Sequence, residues 1–348
     1  MRRSARRVLA FLLLAAATAR AAAAAETPVA IGEAVRIASK VLGEERTILV
    51  ATPEGYARGT SRYPVLYLTD GEAHFQEVCA TADFLRRNGF MPPVLVVGVV
   101  NTDRMRDLAP PRADLFLDFF EKELVPLVES KYRTVPFRIF AGHSLGGLFG
   151  LRALLVRPDL FHAVVAASPV LAWDGGSEVR RAETFLAARK AFRKTLFVSI
   201  GAEGPESRAA FDAFLRVLEK NRPDGFRFGS AVLTEEDHFS VVLQSHYAGL
   251  RKIFEGWHIP RKNGFGDLEA GGPADLKARF AALSERLGFA FTPSEALVNL
   301  LARQAAGRNE PGRALEFLRY NAEAHPESAE ARENLATALE KMAKPDGS

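Results

Sequence analysis

A serine framed by glycines is the residue of this sequence best suited to chemistry. Ser144 lies within Phe-Ala-Gly-His-Ser-Leu-Gly-Gly, residues 140–147, with Gly142 and Gly146 on either side. An apolar run precedes this stretch and a helical pattern follows it, as at a sharp strand-to-helix turn that exposes a serine hydroxyl. The pattern predicts Ser144 as a nucleophile. The alternative is a glycine-rich turn that binds phosphate or only packs tightly.

A serine hydroxyl needs a base to take its proton, and the base needs a carboxylate to orient it. His238 lies in a polar loop between a predicted strand and a predicted helix, so we predict it as the base; the alternative is a surface or capping histidine. The preceding strand ends in a loop that holds Glu203 and Glu206. We favour Glu203 as the acid, because Glu206 also suits the start of the next helix. Asp237 is a further rival.

Two backbone N–H groups must meet the negative oxygen that forms during acyl transfer, and each contributes about 3 kcal/mol. Leu145, directly after the nucleophile, supplies one of them. We assign the other to Glu72 in the turn Asp70-Gly71-Glu72, with Gly71 as a near rival.

Metal and redox chemistry find little support in the composition. The single cysteine, Cys79, excludes an intramolecular disulfide, and no group of His and Cys has metal-ligand spacing. The sequence therefore predicts a site without metal or cofactor.

Short apolar runs alternate with helical periodicity from residue 47 to about 257. This alternation predicts an α/β fold with a mostly parallel sheet flanked by helices. The predicted strands are 47–51, 65–69, 94–100, 138–141, 163–167, 196–200 and 228–233. The predicted helices are 75–88, 114–131, 145–156, 178–192, 207–221 and 239–255.

Residues 1–25 have the layout of a secretory signal peptide, with a basic front, a short apolar centre and small residues before cleavage. They hold five of the arginines and no acidic residue, so removing them changes the net charge from +4 to −1. We therefore expect a periplasmic or secreted protein that binds no nucleic acid. No later apolar stretch is long enough for an integral membrane segment. The export route is left open.

The composition changes after residue 260, and we predict an esterase domain over 26–260. Residues 263–273 hold four Gly and one Pro, which predicts a linker at 261–273. Residues 274–348 are predicted as an all-α segment with one tetratricopeptide-like unit, marked by Ala302, Ala314, Leu318 and Pro326. So short a repeat must pack on the rest of the chain, or on a second subunit or another protein.

Five stretches together resemble the putative-esterase family of α/β-hydrolases, which includes the enterochelin esterases. They are residues 63–71, 99–107, 141–147, 167–169 and 236–238, and the resemblance spans about residues 34–257. It implies an α/β-hydrolase fold and a lidless serine esterase without metal. It also implies Ser144, Glu203 and His238 as the triad, with Leu145 and Glu72 as oxyanion donors.

Four further residues are predicted to contact the substrate. Arg104 and Arg106 follow a predicted strand and can bind an anionic or catecholate group; the alternative is an arginine paired with Asp107 that only shapes the loop. Trp173 is a pocket wall or a core residue, and His74 can line the pocket.

The prediction is an exported serine esterase that acts on a small-molecule ester, with siderophore-type esters as one candidate class. Acyl transfer by the same triad and a non-catalytic scaffold of the same fold are the alternatives.

Overall fold

Eight strands form one mixed sheet at the centre of the fold. The structure, a computed structural model, describes residues 29–343, so the predicted signal peptide lies outside the described residues. The strands are β1 (Glu33–Ser39), β2 (Glu44–Ala51), β3 (Tyr63–Leu68), β4 (Leu95–Val99), β5 (Thr134–His143), β6 (Ala163–Ala167), β7 (Thr195–Gly201) and β8 (Arg227–Leu233).

The strand order is β1-β2-β4-β3-β5-β6-β7-β8. Strands β3 to β8 run parallel, whereas β2 is antiparallel to both β1 and β4. The carboxyl ends of the parallel strands therefore meet at one edge of the sheet, which is where sites of α/β proteins form.

Helices cover both faces of the sheet. They are α1 (Gly71–Arg87), α2 (Arg104–Leu108), α3 (Ala113–Phe119), α4 (Val125–Lys131), α5 (Leu145–Val156), α6 (Ser177–Ala187), α7 (Pro205–Lys220), α8 (Val241–Ile253), α9 (Pro273–Leu287), α10 (Glu295–Gly307), α11 (Pro311–Ala324) and α12 (Ala329–Ala343). A π-helical turn, Phe120–Leu124, joins α3 to α4. The predicted α/β-hydrolase fold class is confirmed.

Two apolar clusters lie on opposite faces of the sheet, and β3 contributes to both. Val65 and Tyr67 pack with α3 to α7, whereas Leu66 and Leu68 pack with α1 and α8. Side chains of a strand alternate between faces, so a strand buried on both sides is apolar throughout. This explains the continuous apolar runs in the sequence.

The C-terminal helices form a third apolar cluster around Phe280 and Leu301. Trp257 and Phe291 contact this cluster and also the cluster between the sheet, α1 and α8. Residues 32–343 form one compact unit. The division at residues 261–273 and the tetratricopeptide-like unit both stay predictions.

The structure adds elements that the sequence did not predict. Strand β1 lies at the edge of the sheet and is mostly exposed, so it lacks a continuous apolar run. Helix α2 has only five residues, too few for a periodic pattern. Within residues 29–343, no helix combines the length and the apolar character needed to cross a membrane.

Candidate active site

Ser144 occupies a strained turn between β5 and α5. Its φ is 58° and its ψ is −116°, a conformation that non-glycine residues rarely adopt. A Cβ on Gly142 would lie 2.4 Å from the carbonyl oxygen of Gly146. A Cβ on Gly146 would lie 2.4 Å from Oγ1 of Thr69, directly after β3. Both glycines are therefore required for close backbone approach, and the turn holds the serine at the sheet edge.

His238 lies within hydrogen-bonding distance of the serine. Its Nε2 is 3.0 Å from Oγ of Ser144, and its side chain is 27% exposed. The histidine belongs to the loop between β8 and α8, which starts at the same sheet edge as the turn at Ser144. The imidazole is therefore placed to accept the hydroxyl proton.

Glu203 lies on the other side of the imidazole. Its Oε1 is 3.1 Å from Nδ1 of His238, and the carboxylate is 12% exposed. This contact does not have hydrogen-bond geometry, and Oε1 has no hydrogen-bond partner among residues 29–343. Such contacts tighten when a substrate binds. A backbone hydrogen bond joins the loop of Glu203 to the loop of His238: the Ala202 N–H donates to the Glu236 carbonyl at 2.6 Å.

The rival acids have other contacts. Glu206 lies in the first turn of α7 and is exposed. The Asp237 carboxylate accepts the backbone N–H groups of Phe239 and Ser240, both at 2.8 Å, just before α8. The structure thus brings Glu203, and neither rival, to the imidazole.

The two predicted oxyanion donors both lie at helix N-termini. Leu145 is the first residue of α5, and Glu72 is the second residue of α1. The first N–H groups of a helix have no acceptor within the helix and carry a partial positive charge. The Cβ position of Gly146 lies 3.1 Å from Oδ2 of Asp70, so the starts of α5 and α1 are neighbours. The geometry leaves Gly71 as a near rival of Glu72.

Arg104 is bound to the turn that carries the nucleophile. Its Nε donates to Oδ1 of Asp70 at 2.6 Å, and its Nη2 donates to the carbonyl of His143 at 3.3 Å. Asp70 is 4% exposed, so this pair neutralises a buried carboxylate. The Arg104 side chain remains 34% exposed, and its predicted contact with substrate stays a prediction.

Arg106 points toward β2. It donates to both oxygens of Glu44, at 3.0 and 2.6 Å, and to Oδ1 of Asp107 at 2.8 Å. Hydrogen bonds from Arg106, Thr102 and Arg46 lower the pKa of Glu44 to about 2. These contacts match the loop-shaping alternative, whereas the substrate contact of Arg106 stays a prediction.

A second histidine supports the loop of the first. Nε2 of His143 lies 2.6 Å from the backbone carbonyl of His238. Burial lowers the pKa of His143 to about 4. The sequence does not predict this contact, since its only signal is a histidine directly before the nucleophile.

The remaining two predicted substrate residues are both half-buried. The His74 ring lies edge-on to His143, with centroids 5.5 Å apart, and also faces His246 at 6.2 Å. Burial and the neighbouring His246 lower its pKa. Trp173 lies in a 3₁₀ turn after β6 and packs against the apolar cluster of α5 and α6.

Within residues 29–343, no three His, Cys, Asp or Glu side chains are grouped so that they could hold a metal ion. Burial raises the pKa of Cys79 to about 12, so this thiol is not activated as a nucleophile.

Comparisons with known proteins give a consistent result. The family described as "Putative esterase" matches residues 39–239, a segment that contains Ser144, Glu203 and His238. The siderophore triacetylfusarinine C esterase of Aspergillus fumigatus is 30% identical over a 267-residue alignment that covers 62% of this chain and 90% of that protein. The ferri-bacillibactin esterase BesA of Bacillus subtilis is 28% identical over a 174-residue alignment that covers 40% of this chain and 59% of that protein.

A solved structure extends the similarity over most of the chain. An IroE-like serine hydrolase from Shewanella oneidensis has a TM-score of 0.75 and 29% identity, and the match covers 84% of this chain and 99% of that one.

Proposed function

Since this chain belongs to the "Putative esterase" family, we propose that it is an exported serine esterase that cleaves a carboxylic ester through an acyl-enzyme. One observation carries the proposal: Nε2 of His238 lies 3.0 Å from Oγ of Ser144, while Glu203 lies at the other ring nitrogen. A nucleophile, a base and an orienting carboxylate in this order form a complete acyl-transfer site.

The reaction would begin with attack of the Ser144 hydroxyl on the ester carbonyl, while His238 takes its proton. The backbone N–H groups of Leu145 and Glu72 would hold the resulting oxyanion. Collapse of this intermediate expels the alcohol, which His238 protonates, and leaves an acyl group on Ser144. A water molecule, deprotonated by His238, then releases the acid and returns the serine. Glu203 keeps the imidazole in the tautomer that each step needs.

The substrate we propose is a siderophore-type ester. The names of two relatives, the triacetylfusarinine C esterase and the ferri-bacillibactin esterase, support this class. The guanidinium of Arg104, one-third exposed and bonded to the carbonyl of His143, is near enough to the nucleophile to contact an anionic part of such a substrate.

We propose export because of the sequence of residues 1–25. Their basic start, apolar centre and alanine-rich end are typical of a signal peptide, which would direct the mature protein to the periplasm or the medium.

A fluorophosphonate probe tests the proposal directly, because it reacts only with an activated serine. We expect labelling at Ser144, located by mass spectrometry of the peptides, and hydrolysis of short p-nitrophenyl esters. Ser144→Ala should lose both, whereas Ser130→Ala, a matched change at an exposed serine, should keep both. A folded wild-type protein that is neither labelled nor active would indicate a scaffold. Labelling with acyl transfer to an added alcohol in preference to water would indicate an acyltransferase.

A further inference from the structure

An exposed phenylalanine lies directly beside the proposed base. Phe239 follows His238 in the chain and is 77% exposed. Within residues 29–343 it belongs to none of the three apolar clusters, so packing in the core does not account for it. Single exposed apolar residues are ordinary on protein surfaces, so what matters for this one is its position.

Phe239 differs from the other exposed phenylalanines in what its ring contacts. In the described part of the chain, these exposed residues are Phe84, Phe239 and Phe265. The Phe239 ring is nearly perpendicular to the imidazole of His238, with centroids 5.3 Å apart, and lies 6.3 Å from the ring of His143. Of the three, Phe239 is therefore the one whose ring contacts a member of the proposed triad.

Hydrogen bonds fix the backbone around Phe239. The N–H groups of Phe239 and Ser240 both donate to Oδ1 of Asp237, at 2.8 Å each. The Asp237 N–H in turn donates to Oγ of Ser240 at 3.0 Å, just before α8 begins. An aromatic ring on a fixed backbone has only two side-chain torsions left to order, so its contact with a ligand costs little conformational entropy.

The proposed mechanism sets the direction in which the two halves of an ester lie. The carbonyl oxygen points to the N–H groups of Leu145 and Glu72, where α5 and α1 begin. The oxygen of the leaving alcohol takes its proton from Nε2 of His238, so it must come within hydrogen-bonding distance of that atom. The alcohol part therefore leaves the reaction centre on the side of the imidazole, which is where the Phe239 ring lies.

An aromatic group on the alcohol is the ligand that this ring suits. Contact with it removes from water the apolar surface that Phe239 exposes. Two aromatic rings also attract each other beyond the area that they bury, provided that they stack with an offset or meet edge to face. The exposed ring of Phe239 leaves room for either arrangement.

We propose that Phe239 binds the alcohol part of the ester and selects alcohols that carry an aromatic group next to the carbon bonded to oxygen. The aromatic ring of the substrate packs on Phe239 while the ester oxygen lies at Nε2 of His238. This inference rests on the proposed esterase function and adds the half of the substrate that Phe239 recognises. The alternative is a phenylalanine that only orients the imidazole.

Two isomeric esters test this assignment. Benzyl acetate carries its ring on the alcohol part, whereas methyl phenylacetate carries its ring on the acyl part. Their leaving alcohols have nearly equal acidity, and kcat/KM measures the stabilisation of each transition state relative to the free enzyme and ester. Phe239→Ala should lower the ratio of kcat/KM for benzyl acetate to kcat/KM for methyl phenylacetate by about five- to tenfold.

Two further variants serve as controls. Phe239→Trp keeps an aromatic face and should hold the ratio within about twofold of the wild type. Phe265→Ala removes a phenylalanine that is 86% exposed and should leave the ratio unchanged. Because both positions are exposed, none of these variants should shift the Tm by more than about 2 °C.

An unchanged ratio in Phe239→Ala would overturn the proposal, even if both esters react more slowly, because a residue that only orients His238 affects both isomers alike. A rise in the ratio would place the ring on the acyl side and overturn it as well. If the wild type turns over neither isomer, the Ki with which each one protects Ser144 from the fluorophosphonate supplies the ratio. Failure of the proposed function is distinguishable, because Ser144 of the wild type would then not be labelled, and this inference would fall with it.

Discussion

Nε2 of His143 lies 2.6 Å from the backbone carbonyl oxygen of His238 and forms a hydrogen bond with it. A carbonyl only accepts, so His143 donates, and its proton is on Nε2. Burial lowers the pKa of His143 to about 4, so the ring is neutral at neutral pH. The residue before the proposed nucleophile thus positions the loop of the proposed base.

We predict that removing this donor lowers turnover without affecting substrate binding. His143→Leu leaves the His238 carbonyl without its donor and frees the loop, so kcat should fall by about 10²-fold with KM nearly unchanged. His143→Gln places an amide N–H near the position of Nε2 and should recover most of the activity. Steady-state kinetics on a p-nitrophenyl ester measures both. Equal losses in the two variants would show that packing alone matters here.

The orienting role of Glu203 can be separated from that of Glu206. Glu203→Gln removes the carboxylate 3.1 Å from Nδ1 of His238, and kcat should fall by roughly 10²–10⁴-fold. Glu206→Gln should keep kcat within about twofold and cost at most about 1 kcal/mol of stability at the start of α7. The reverse pattern in measured kcat would assign the acid to Glu206.

The sequence predicted most of what local pattern determines. The glycines around Ser144 indicated the turn, and for Gly142 the steric cause is local, because its Cβ position meets the backbone of Gly146 four residues later. Glu203 and His238 could be proposed because each follows a strand of the parallel part of the sheet. These features depend on the local periodicity of the sequence and on the rule that the carboxyl ends of parallel strands meet at one edge of the sheet.

Contacts between distant loops could not be predicted in this way. The bond from His143 to the His238 carbonyl depends on how two loops 95 positions apart are placed. The turn of Arg106 toward Glu44 depends on the pairing of β2 with β4. Strand β1 was missed because an exposed edge strand needs few apolar residues.

We predict that acidification destabilises the protein through its buried histidines. Burial and the charges of Lys194 and Arg138 lower the pKa of His162 from its ordinary 6.5 to about 4. The neutral ring accepts the Arg138 N–H at Nδ1, 3.2 Å away. Between pH 6.5 and 4 the unfolded chain binds a proton that the folded protein does not. The free energy of unfolding therefore decreases as the pH is lowered from 6.5 to 4, by roughly 1–3 kcal/mol from this residue.

His162→Asn tests this contribution, because its amide oxygen can replace Nδ1 as acceptor but does not titrate. Urea denaturation at several pH values should give a flatter dependence of the unfolding free energy between pH 6.5 and 4 than in the wild type. The variant starts from a lower stability at pH 7.5, since it loses the ring contact with Phe137. An unchanged pH dependence would contradict the assignment.

The packing of the C-terminal helices predicts that they unfold together with the sheet. Phe291 lies 5.2 Å from Phe137 and 5.5 Å from Trp257, measured between ring centroids, so it joins the two apolar clusters. Phe291→Ala should lower the free energy of unfolding by about 2–3 kcal/mol, somewhat less than for a fully buried phenylalanine. Phe265→Ala, at a residue 86% exposed, should change it by less than about 0.5 kcal/mol.

The two tryptophans report on the two parts of the fold and make the cooperativity of unfolding measurable. Trp173 packs with α5 and α6, whereas Trp257 lies between the sheet and the C-terminal helices. Single-tryptophan proteins, made with Trp173→Phe or Trp257→Phe, should each show one urea transition, and Phe291→Ala should lower both midpoints. Both midpoints fall if the sheet and the C-terminal helices unfold cooperatively, because the cavity left by Phe291→Ala then destabilises the whole unit. A midpoint that falls only for Trp257 would instead establish the C-terminal helices as a separate domain.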